Sequence, residues 1–317
     1  MNIVIPGGSG QVGTLLARHF SAQNHDVTVL SRKPVTAPWK VIAWDAKTIG
    51  DWTTTIDGAD VVINMAGRSV NCRYTTKNRR AILDSRVDST RVIGQAIANA
   101  SKPPRVWLQA STATMYAHRF DADNDEETGV LGGNEPNVPY TWRFSIDVAQ
   151  AWEAAAHEFI LPHTRKVLLR SAMTMSPDRG GVFDVLLGLV RRGLGGASGD
   201  GRQYVSWIHD VDFLRAIDWL IKHDELAGPV NLSSPNPIPN AEFMRALRAA
   251  WGMPFGLPST KWMLEIGTFL LRTETELVLK SRRVVPRRLL QCGFQFQFPM
   301  WEQAAKDLCS RWLSSPP

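Results

Sequence analysis

The stretch GGSGQVG at residues 7–13 constrains the fold of this chain more than any other feature. It contains Gly7-x-x-Gly10-x-x-Gly13, follows the apolar run NIVI, and leads into an amphipathic stretch from Val12 to Asn24. Glycines in such a turn let the backbone approach a pyrophosphate, and the following helix offers free N–H groups and the positive end of its dipole. The stretch therefore predicts a strand, a phosphate-binding loop and a helix, although the glycines alone would also fit a plain turn.

The first 175 residues alternate between apolar runs and amphipathic stretches. The apolar runs stand at 2–5, 26–30, 40–44, 60–66, 105–111 and 166–173, and the amphipathic stretches at 12–24, 76–100 and 144–160. Short apolar runs separated by helical patterns are typical of buried parallel strands joined by helices. The predicted fold class is α/β, with a Rossmann-like doubly wound parallel sheet in residues 1–175.

Residues 176–317 follow a different pattern, in which connectors rich in glycine and proline join helical stretches. These stretches run over 183–192, 211–222, 241–251, 261–271 and 300–313. They predict a smaller, mostly helical C-terminal lobe, with strands near 203–208 and 229–233 that return to the core. The alternation of aromatic and polar residues in GFQFQFP, at 293–299, predicts one more short strand.

Composition and charge argue against several classes of protein. The 317 residues carry a net charge of +6, and their basic pairs are scattered, so we expect no nucleic-acid partner. The most apolar late stretch, at 262–272, is too short to span a bilayer and contains Glu265, so we expect no membrane association. The three cysteines form no CxxC motif, which indicates a reducing compartment and no metal site. We therefore expect a cytoplasmic protein.

The end of the second strand distinguishes between two dinucleotides. A site specific for NAD would place a carboxylate there, whereas this chain has Ser31 and Arg32, about twenty residues past the glycine loop. A hydroxyl and a guanidinium suit a 2′-phosphate, so NADP(H) is favoured over NAD. Asp45, which ends the third strand, either accepts a hydrogen bond from the adenine or caps a turn.

Several stretches together resemble one protein family. They include the glycine motif, NMAG at 64–67, Ser111, WIHDVD at 207–212 and RRVVPRRLLQCGFQFQFP at 282–299. The chain resembles the extended-type short-chain dehydrogenases/reductases of the NAD-dependent epimerase/dehydratase superfamily. More narrowly, it resembles their atypical YfcH-like "epimerase family" branch, which has an extra C-terminal segment. The resemblance implies NADP(H) binding and a substrate cleft between core and lobe, and extended-type relatives often form homodimers.

The predicted cofactor contacts come from the glycine loop, the strand ends and the cleft. They are Gly7, Gly8, Ser9, Gly10, Gln11, Val12, Ser31, Arg32, Asp45, Met65, Ala66, Gly67, Arg86, Ser111, Arg170 and Ala172. Among them, Ala66 and Gly67 would let the backbone pass close to the cofactor ribose.

The resemblance also implies a chemistry that this chain can carry out only in part. In the superfamily a serine polarises the substrate carbonyl, and a Tyr-x-x-x-Lys pair exchanges the proton. Ser111 matches the serine, but the residue four positions beyond each of the four tyrosines is never lysine. Aligning the catalytic helix on AWE, at 151–153, puts Ser145 and Ala149 in the places of the pair.

Substitute proton donors must come from loops around the cleft. Tyr140 precedes the aligned helix, so the candidate substitutes are Tyr116, Tyr74 and His118, the last because a histidine pKa near ~6.5 suits proton exchange. The predicted catalytic residues are Ser111 and Tyr116. The predicted substrate-binding residues are Arg68, Arg73, Tyr74, Thr112 and His118. If Arg68 and Arg73 face the cleft, they favour a small anionic substrate; a helix cap and a surface ion pair would explain them equally well.

His209, Asp210 and Asp212 invite a metal or catalytic interpretation, but acids at the start of a helix are ordinary caps, so we predict a structural role. Two functions stay open at this point. One is an NADP(H)-dependent oxidoreductase or epimerase-like enzyme that acts on a small carbonyl or hydroxyl compound. The other is a cofactor-binding regulatory or interaction protein without turnover.

Overall fold

The computed structural model describes residues 1–136, 138–139, 142–258 and 276–314. Seven strands form one parallel sheet: β1 (Asn2–Pro6), β2 (Asp26–Ser31), β3 (Lys40–Ala43), β4 (Val61–Asn64), β5 (Val106–Thr112), β6 (Arg165–Ser171) and β10 (Gly228–Leu232). Their order across the sheet is β10-β6-β5-β4-β1-β2-β3. The connecting helices include α1 (Gln11–Ala22), α2 (Thr76–Asn99) and α3 (Arg143–His157). The predicted α/β class with a Rossmann-like doubly wound sheet is confirmed.

Successive residues of the central strands point to opposite faces of the sheet and fill two separate cores. On one face Ile5 of β1 packs in a cluster with Phe20 of α1. On the other face Val4 of β1 and Trp107 of β5 share a cluster with Ile93 of α2. Burial on both faces explains why these strands are continuous apolar runs in the sequence.

The order of the strands reverses at β1. β2 and β3 extend the sheet on one side of β1, and β4, β5, β6 and β10 extend it on the other side. Such a reversal leaves a crevice at the carboxyl ends of the strands, where open α/β sheets bind their ligands. The glycine loop after β1 and the ends of β4 and β5 all lie at this edge of the sheet.

The C-terminal region builds its own core beside the sheet. It contains α4 (Val182–Arg191), α5 (Asp210–Lys222), α6 (Asn240–Trp251), α7 (Glu276–Leu279), α8 (Arg287–Gln291) and α9 (Trp301–Ser314). The rings of Phe243 from α6 and Trp301 from α9 stack with their centroids 4.0 Å apart, and Trp207 packs edge-on to Trp301. Stacked and edge-on aromatic pairs add to the stabilisation that comes from burial.

Two short sheets lie outside the main one. β7 (Met173–Met175) pairs with β9 (Trp207–His209), and β8 (Tyr204–Val205) pairs with β11 (Ile238–Pro239). The strands expected near 203–208 therefore pair with these partners instead of joining the seven-stranded sheet, whereas β10 does join it.

The expected strand at 293–299 is absent from the described chain because its backbone has another partner. The Asp212 carboxylate accepts the N–H groups of Gln297 and Phe298 at 2.7 and 2.8 Å, so these groups are not available to a neighbouring strand. Asp210 forms an ion pair with Arg311 of α9 at 2.6 Å, so both acids tie the C-terminal region together.

Two further expectations concern a helix at 261–271 and membrane association. The helix predicted at 261–271 lies outside the described residues. Within them, no helix has the length and apolar character that crossing a membrane requires.

Candidate cofactor groove and active site

Two positions, Gly7 in the loop after β1 and Gly13 in the first turn of α1, have no room for a side chain. Gly7 has a φ of +74°, and a Cβ on it would lie 2.6 Å from the Ala66 backbone. A Cβ on Gly13 would lie 2.5 Å from Gly8 Cα. The first turn of α1 follows Gly10, which has no side chain to cap it, so the loop and the start of the helix turn their backbone toward the crevice.

A groove of about 480 Å³ opens at this point along the carboxyl edge of the sheet. Nine of the predicted cofactor residues line it: Gly7, Ser9, Gly10, Ser31, Arg32, Asp45, Met65, Ala66 and Gly67. They come from the ends of β1, β2, β3 and β4, as the reversal of strand order requires. The groove extends from the end of β2 across the glycine loop to the end of β4.

The rim of the groove is cationic. Arg32 is exposed, and it makes no ion pair or hydrogen bond with any residue in the described part of the chain. Ser31 Oγ lies beside it, 3.0 Å from Ser9 Oγ. Lys77 and Arg80, from the first turns of α2, line the facing wall. A concave site with cations on both walls suits a phosphorylated ligand.

Asp45 caps its turn, which is one of the two roles that the sequence left open. Its carboxylate accepts the N–H groups of Lys47 and Thr48 at 2.8 and 2.9 Å and the Thr48 hydroxyl at 2.6 Å. These hydrogen bonds, led by the one from the Thr48 hydroxyl, lower the pKa of Asp45 to about 2. Asp45 therefore stays ionised, caps its turn and also lines the groove.

Sequence reasoning missed the wall that α2 provides. Lys77, Arg80, Ala81, Asp84 and Ser85 all line the groove, together with Leu30, Trp44, Ala46 and Lys47. The run KNRR, at 77–80, carried the signal, because it opens the helix that follows β4, but basic residues at a helix end are usually solvated.

Ser111 and Tyr116 lie in a buried hydrogen-bonded network and not on the groove. Ser111 is 6% exposed and donates its hydroxyl to Glu153 of α3 at 2.6 Å. Glu153 forms a two-point ion pair with Arg170 of β6, at 2.9 and 2.8 Å. Arg170 donates to the Tyr116 hydroxyl, which in turn donates to Asn231 at 2.9 Å.

This network bears on three of the predicted site residues. Ser111 and Tyr116 are 6% and 2% exposed, and their hydroxyls donate to Glu153 and Asn231, so their burial does not favour contact with a substrate. Burial also raises the pKa of Tyr116, which makes its anion less accessible. Arg170 is occupied by Glu153 and does not line the groove, so its predicted cofactor contact is not supported either.

The remaining predicted cofactor residues lie around the groove without lining it. Gly8 packs under Val29 of β2, and the backbone N–H of Ala172 donates to Leu232. Gln11 and Val12 belong to α1, where the Gln11 side chain lies against Gly181. Arg86 donates to the Arg68 and Ile82 carbonyls, and burial lowers its pKa to about 10.

The predicted substrate residues are divided between the surface and the cleft. Arg68 is exposed and donates to Asn78, while Arg73 is also exposed. Tyr74 is half-buried, with its ring edge-on to Phe144 of α3. His118 accepts the Ser281 N–H on Nδ1 at 2.8 Å, and burial, followed by the nearby Lys280, lowers its pKa, so it is held as a neutral acceptor.

Thr112 is the one predicted polar residue at the end of β5 that keeps a free donor in the described chain. It follows Ser111, so its side chain points to the opposite side of the strand. Thr112 is half-buried, and its Oγ accepts the Thr114 N–H at 3.1 Å, which leaves the hydroxyl proton without an acceptor among the described residues.

Helix α3 carries Ser145 and Ala149, the residues that the alignment on AWE puts in the places of the Tyr-x-x-x-Lys pair. Ala149 is fully buried in a small apolar cluster with Ala113, Met115, Tyr116 and Val284, where a lysine would not fit. One turn earlier, Ser145 is half-buried and donates its hydroxyl to Glu276 of α7 at 2.6 Å. Tyr140 lies outside the described residues.

The fold and the groove place the chain among the Rossmann-type dinucleotide-binding proteins. The sequence model described as "NAD dependent epimerase/dehydratase family" matches residues 3–232, and a domain of unknown function, DUF1731, matches residues 260–308. The first match covers more than half of the chain, so the chain belongs to the NAD dependent epimerase/dehydratase family.

Individual relatives agree with this family. The epimerase family protein SDR39U1 of Bos taurus is 31% identical over 97% of this chain and 99% of its own length. The crystal structure of human SDR39U1 (isoform2) with NADPH superposes with a TM-score of 0.85 at 28% identity, covering 98% of this chain and 99% of that one. The nucleoside-diphosphate sugar epimerase of Corynebacterium glutamicum superposes with a TM-score of 0.75 at 26% identity, covering 98% of this chain and 58% of that one.

Proposed function

We propose that this protein is an NADP(H)-dependent oxidoreductase that acts on a small anionic carbonyl or hydroxyl compound without a Tyr-x-x-x-Lys pair. The observation that carries the proposal is the groove: nine predicted cofactor residues line it, and the unpartnered Arg32 lies at the end where an adenosine 2′-phosphate would bind. Human SDR39U1, which superposes over almost the whole chain, was crystallised with NADPH. The same cofactor is therefore the one we assign to this groove.

The preference for NADPH over NADH is expected to depend on Arg32. Replacing Arg32 with alanine removes a charge-assisted hydrogen bond worth about 1.5–3 kcal/mol, so we expect NADPH affinity to fall by about ten- to a hundredfold while NADH affinity stays unchanged. Titration calorimetry with both cofactors measures this, and Lys33→Ala is the matched control because Lys33 is exposed but does not line the groove. Equal affinities of the unmodified protein for the two cofactors would refute the assignment.

The reacting centre that we propose lies at the carboxyl end of β5. When bound, the cofactor supplies or accepts a hydride there. Thr112 would donate its free hydroxyl proton to the carbonyl oxygen of the substrate and so stabilise the negative charge that develops on it. This gives Thr112 the role that the sequence suggested for Ser111.

An anionic substrate fits the cations around Tyr74. Arg86 and Arg282 both influence Tyr74 electrostatically, and burial lowers the pKa of each guanidinium. Arg86 forms no ion pair with a described carboxylate. Arg86 is half-buried, and the carboxylate or phosphate of a substrate would supply an opposite charge beside it.

Removing the Thr112 hydroxyl is expected to slow the reaction strongly. For Thr112→Val, which keeps the shape of the side chain, we expect kcat to fall by about 10²–10³-fold, with cofactor affinity unchanged. The measurement is NADPH oxidation with a panel of 2-oxo acids and phosphorylated ketones, and Thr112→Ser is the control that restores the hydroxyl.

The alternative function is a cofactor-binding protein without turnover. Ala149 in the place of the lysine and the engaged hydroxyls of Ser111 and Tyr116 favour it. Tight NADPH binding combined with no oxidation by any compound of the panel would decide for this alternative and against the enzyme.

A further inference from the structure

A buried charged cluster from the C-terminal segment meets the start of α3. Glu276 and Lys280 are 2% and 1% exposed, and Glu276 accepts the Ser145 hydroxyl at 2.6 Å. The Lys280 N–H donates to the Glu276 carbonyl at 3.2 Å, so the two residues are one helical turn apart and share a face. We refer to Ser145, Glu276 and Lys280 as the C-terminal charge cluster.

The start of α3, which carries Ser145, lies against the loop after β4 and the start of α2. Lys77 and Arg80 line the groove, and Arg79, between them and on the same turn, places its guanidinium 4.9 Å from the Phe144 ring. Phe144 precedes Ser145 and also contacts Tyr74. The start of α3 therefore contacts the start of α2, two of whose side chains line the groove.

Lys280 brings an ammonium group to the end of β5. Its Nζ donates to the Thr114 carbonyl at 2.7 Å, and the neighbours of Thr114, Ala113 and Met115, share an apolar cluster with Ala149. No ion pair joins Lys280 to a carboxylate in the described chain. The charged groups that face it are Glu276 and Arg282 from its own segment, Glu135 from the loop before α3, and His118 from the loop after β5. The C-terminal segment thus places a lysine close to the site from which α3 has lost one.

We propose that the C-terminal charge cluster is the acid–base centre of this cleft, with Ser145 as the hydroxyl that contacts the substrate oxygen, Glu276 as the base behind it, and Lys280 as the cation that keeps Glu276 ionised. The proposal rests on the proposed oxidoreductase function. It gives residues 260–308, the domain of unknown function, a role in the chemistry.

The cluster can accept a proton during alcohol oxidation and donate one during carbonyl reduction. In alcohol oxidation the substrate hydroxyl gives its proton to Ser145 Oγ, and the Ser145 proton moves to Glu276 Oε2. The C–H bond of the substrate breaks, its hydride leaves to the oxidised cofactor, and a carbonyl forms. Glu276 then releases the proton to solvent. In carbonyl reduction a protonated Glu276 supplies the proton by the reverse path.

The placement of the cluster can be tested without any substrate. Burial, followed by the Arg282 charge, lowers the pKa of Lys280 to about 8. The oxidised nicotinamide carries a positive charge, so its arrival beside the cluster should drive a proton off Lys280. At pH 8 we expect NADP⁺ binding to release up to about half a proton per site, and NADPH binding to release almost none. Titration calorimetry in two buffers of different ionisation enthalpy counts these protons.

Lys280→Met should abolish the difference in proton release between NADP⁺ binding and NADPH binding. Lys166→Met should leave it intact, because Lys166 is also a lysine whose pKa burial lowers, but it bonds to the Ala156 and Phe159 carbonyls away from the groove. Equal proton release for the two cofactors in the unmodified protein would overturn the proposal, as would a difference that survives in Lys280→Met.

Kinetics test the roles within the cluster. With a compound that the protein turns over, Glu276→Gln and Ser145→Ala should each lower kcat by about 10²–10⁴-fold at unchanged NADPH affinity, and Glu276→Asp should recover part of the rate. A kcat of Glu276→Gln equal to that of the unmodified protein would overturn the proposal. No turnover by the unmodified protein would contradict the proposed function instead. The proton release on NADP⁺ binding would still show whether the cluster lies beside the nicotinamide.

Discussion

Arg170→Met is expected to lower the free energy of unfolding by about 3–5 kcal/mol, because it leaves the Glu153 carboxylate buried without its counter-ion. The side chains of Arg170 and Glu153 are 10% and 9% exposed and meet through two hydrogen bonds. Burial alone would lower the pKa of Arg170, but Glu153 outweighs this effect and raises it, so the charged pair is the stable form. Chemical denaturation followed by circular dichroism measures the loss.

The matched control is the exposed pair of Arg91 and Glu158. It has similar two-point geometry, but its side chains are 54% and 43% exposed, so Arg91→Met should cost about 0–1 kcal/mol. The double variant Glu153→Met with Arg170→Met should lose less than the sum of the single losses, since no buried charge is left alone. Equal losses for Arg170→Met and Arg91→Met would show that the network does not hold the fold in the way its geometry indicates.

Gly13→Val is expected to weaken NADPH binding by at least about a hundredfold, since the displaced loop would lose two charge-assisted hydrogen bonds of about 1.5–3 kcal/mol each. The physical cause is steric. A Cβ on Gly13 would meet Gly8 Cα at 2.5 Å and the Gly7 carbonyl at 2.8 Å, so α1 and the phosphate loop would have to separate. Quenching of tryptophan fluorescence on titration with NADPH measures the affinity.

Gly58→Ala serves as the control for this change. Gly58 has a φ of +82° and nothing within 4 Å of an added Cβ, so the substitution strains the backbone without touching the groove. We expect Gly58→Ala to reduce stability while NADPH affinity is retained. Unchanged NADPH affinity in Gly13→Val would mean that the cofactor does not bind over this loop.

The sequence predicted the sheet well because its strands are buried on both faces. β1, β2 and β4 appear as continuous apolar runs, and the helices between strands have amphipathic patterns. The strand at 293–299 was predicted wrongly for a physical reason. Alternating side chains are compatible with a strand, but the Asp212 carboxylate, distant in sequence, takes the backbone N–H groups that a strand would need.

The cofactor groove was predictable to the extent that it consists of loop and strand-end residues. Backbone approach at Gly7 and the cation at Arg32 follow from short motifs. The roles of Ser111 and Tyr116 did not follow, because a hydroxyl at the end of a strand can face the cleft or the interior. The buried pair of Glu153 and Arg170, which sequence reasoning did not connect, takes both hydroxyls inward.

The C-terminal charge cluster lay beyond sequence reasoning. Glu276 and Ser145 are 131 positions apart, and Lys280 and Thr114 are 166 positions apart, so only the folded chain brings them together. Neither Glu276 nor Lys280 belongs to a motif with a known spacing. Their burial distinguishes them, since charged side chains are seldom fully buried without a structural or functional reason.

The most direct test of the account is hydride transfer itself. NADPH that carries deuterium at the reactive carbon of the nicotinamide would be incubated with the protein and a panel of 2-oxo acids and phosphorylated ketones, and the products analysed by mass spectrometry. We expect at least one anionic carbonyl compound to acquire deuterium in an alcohol product, and we expect Thr112→Val to reduce this transfer by about 10²–10³-fold. A protein that binds NADPH tightly and transfers no deuterium to any of these compounds would contradict it.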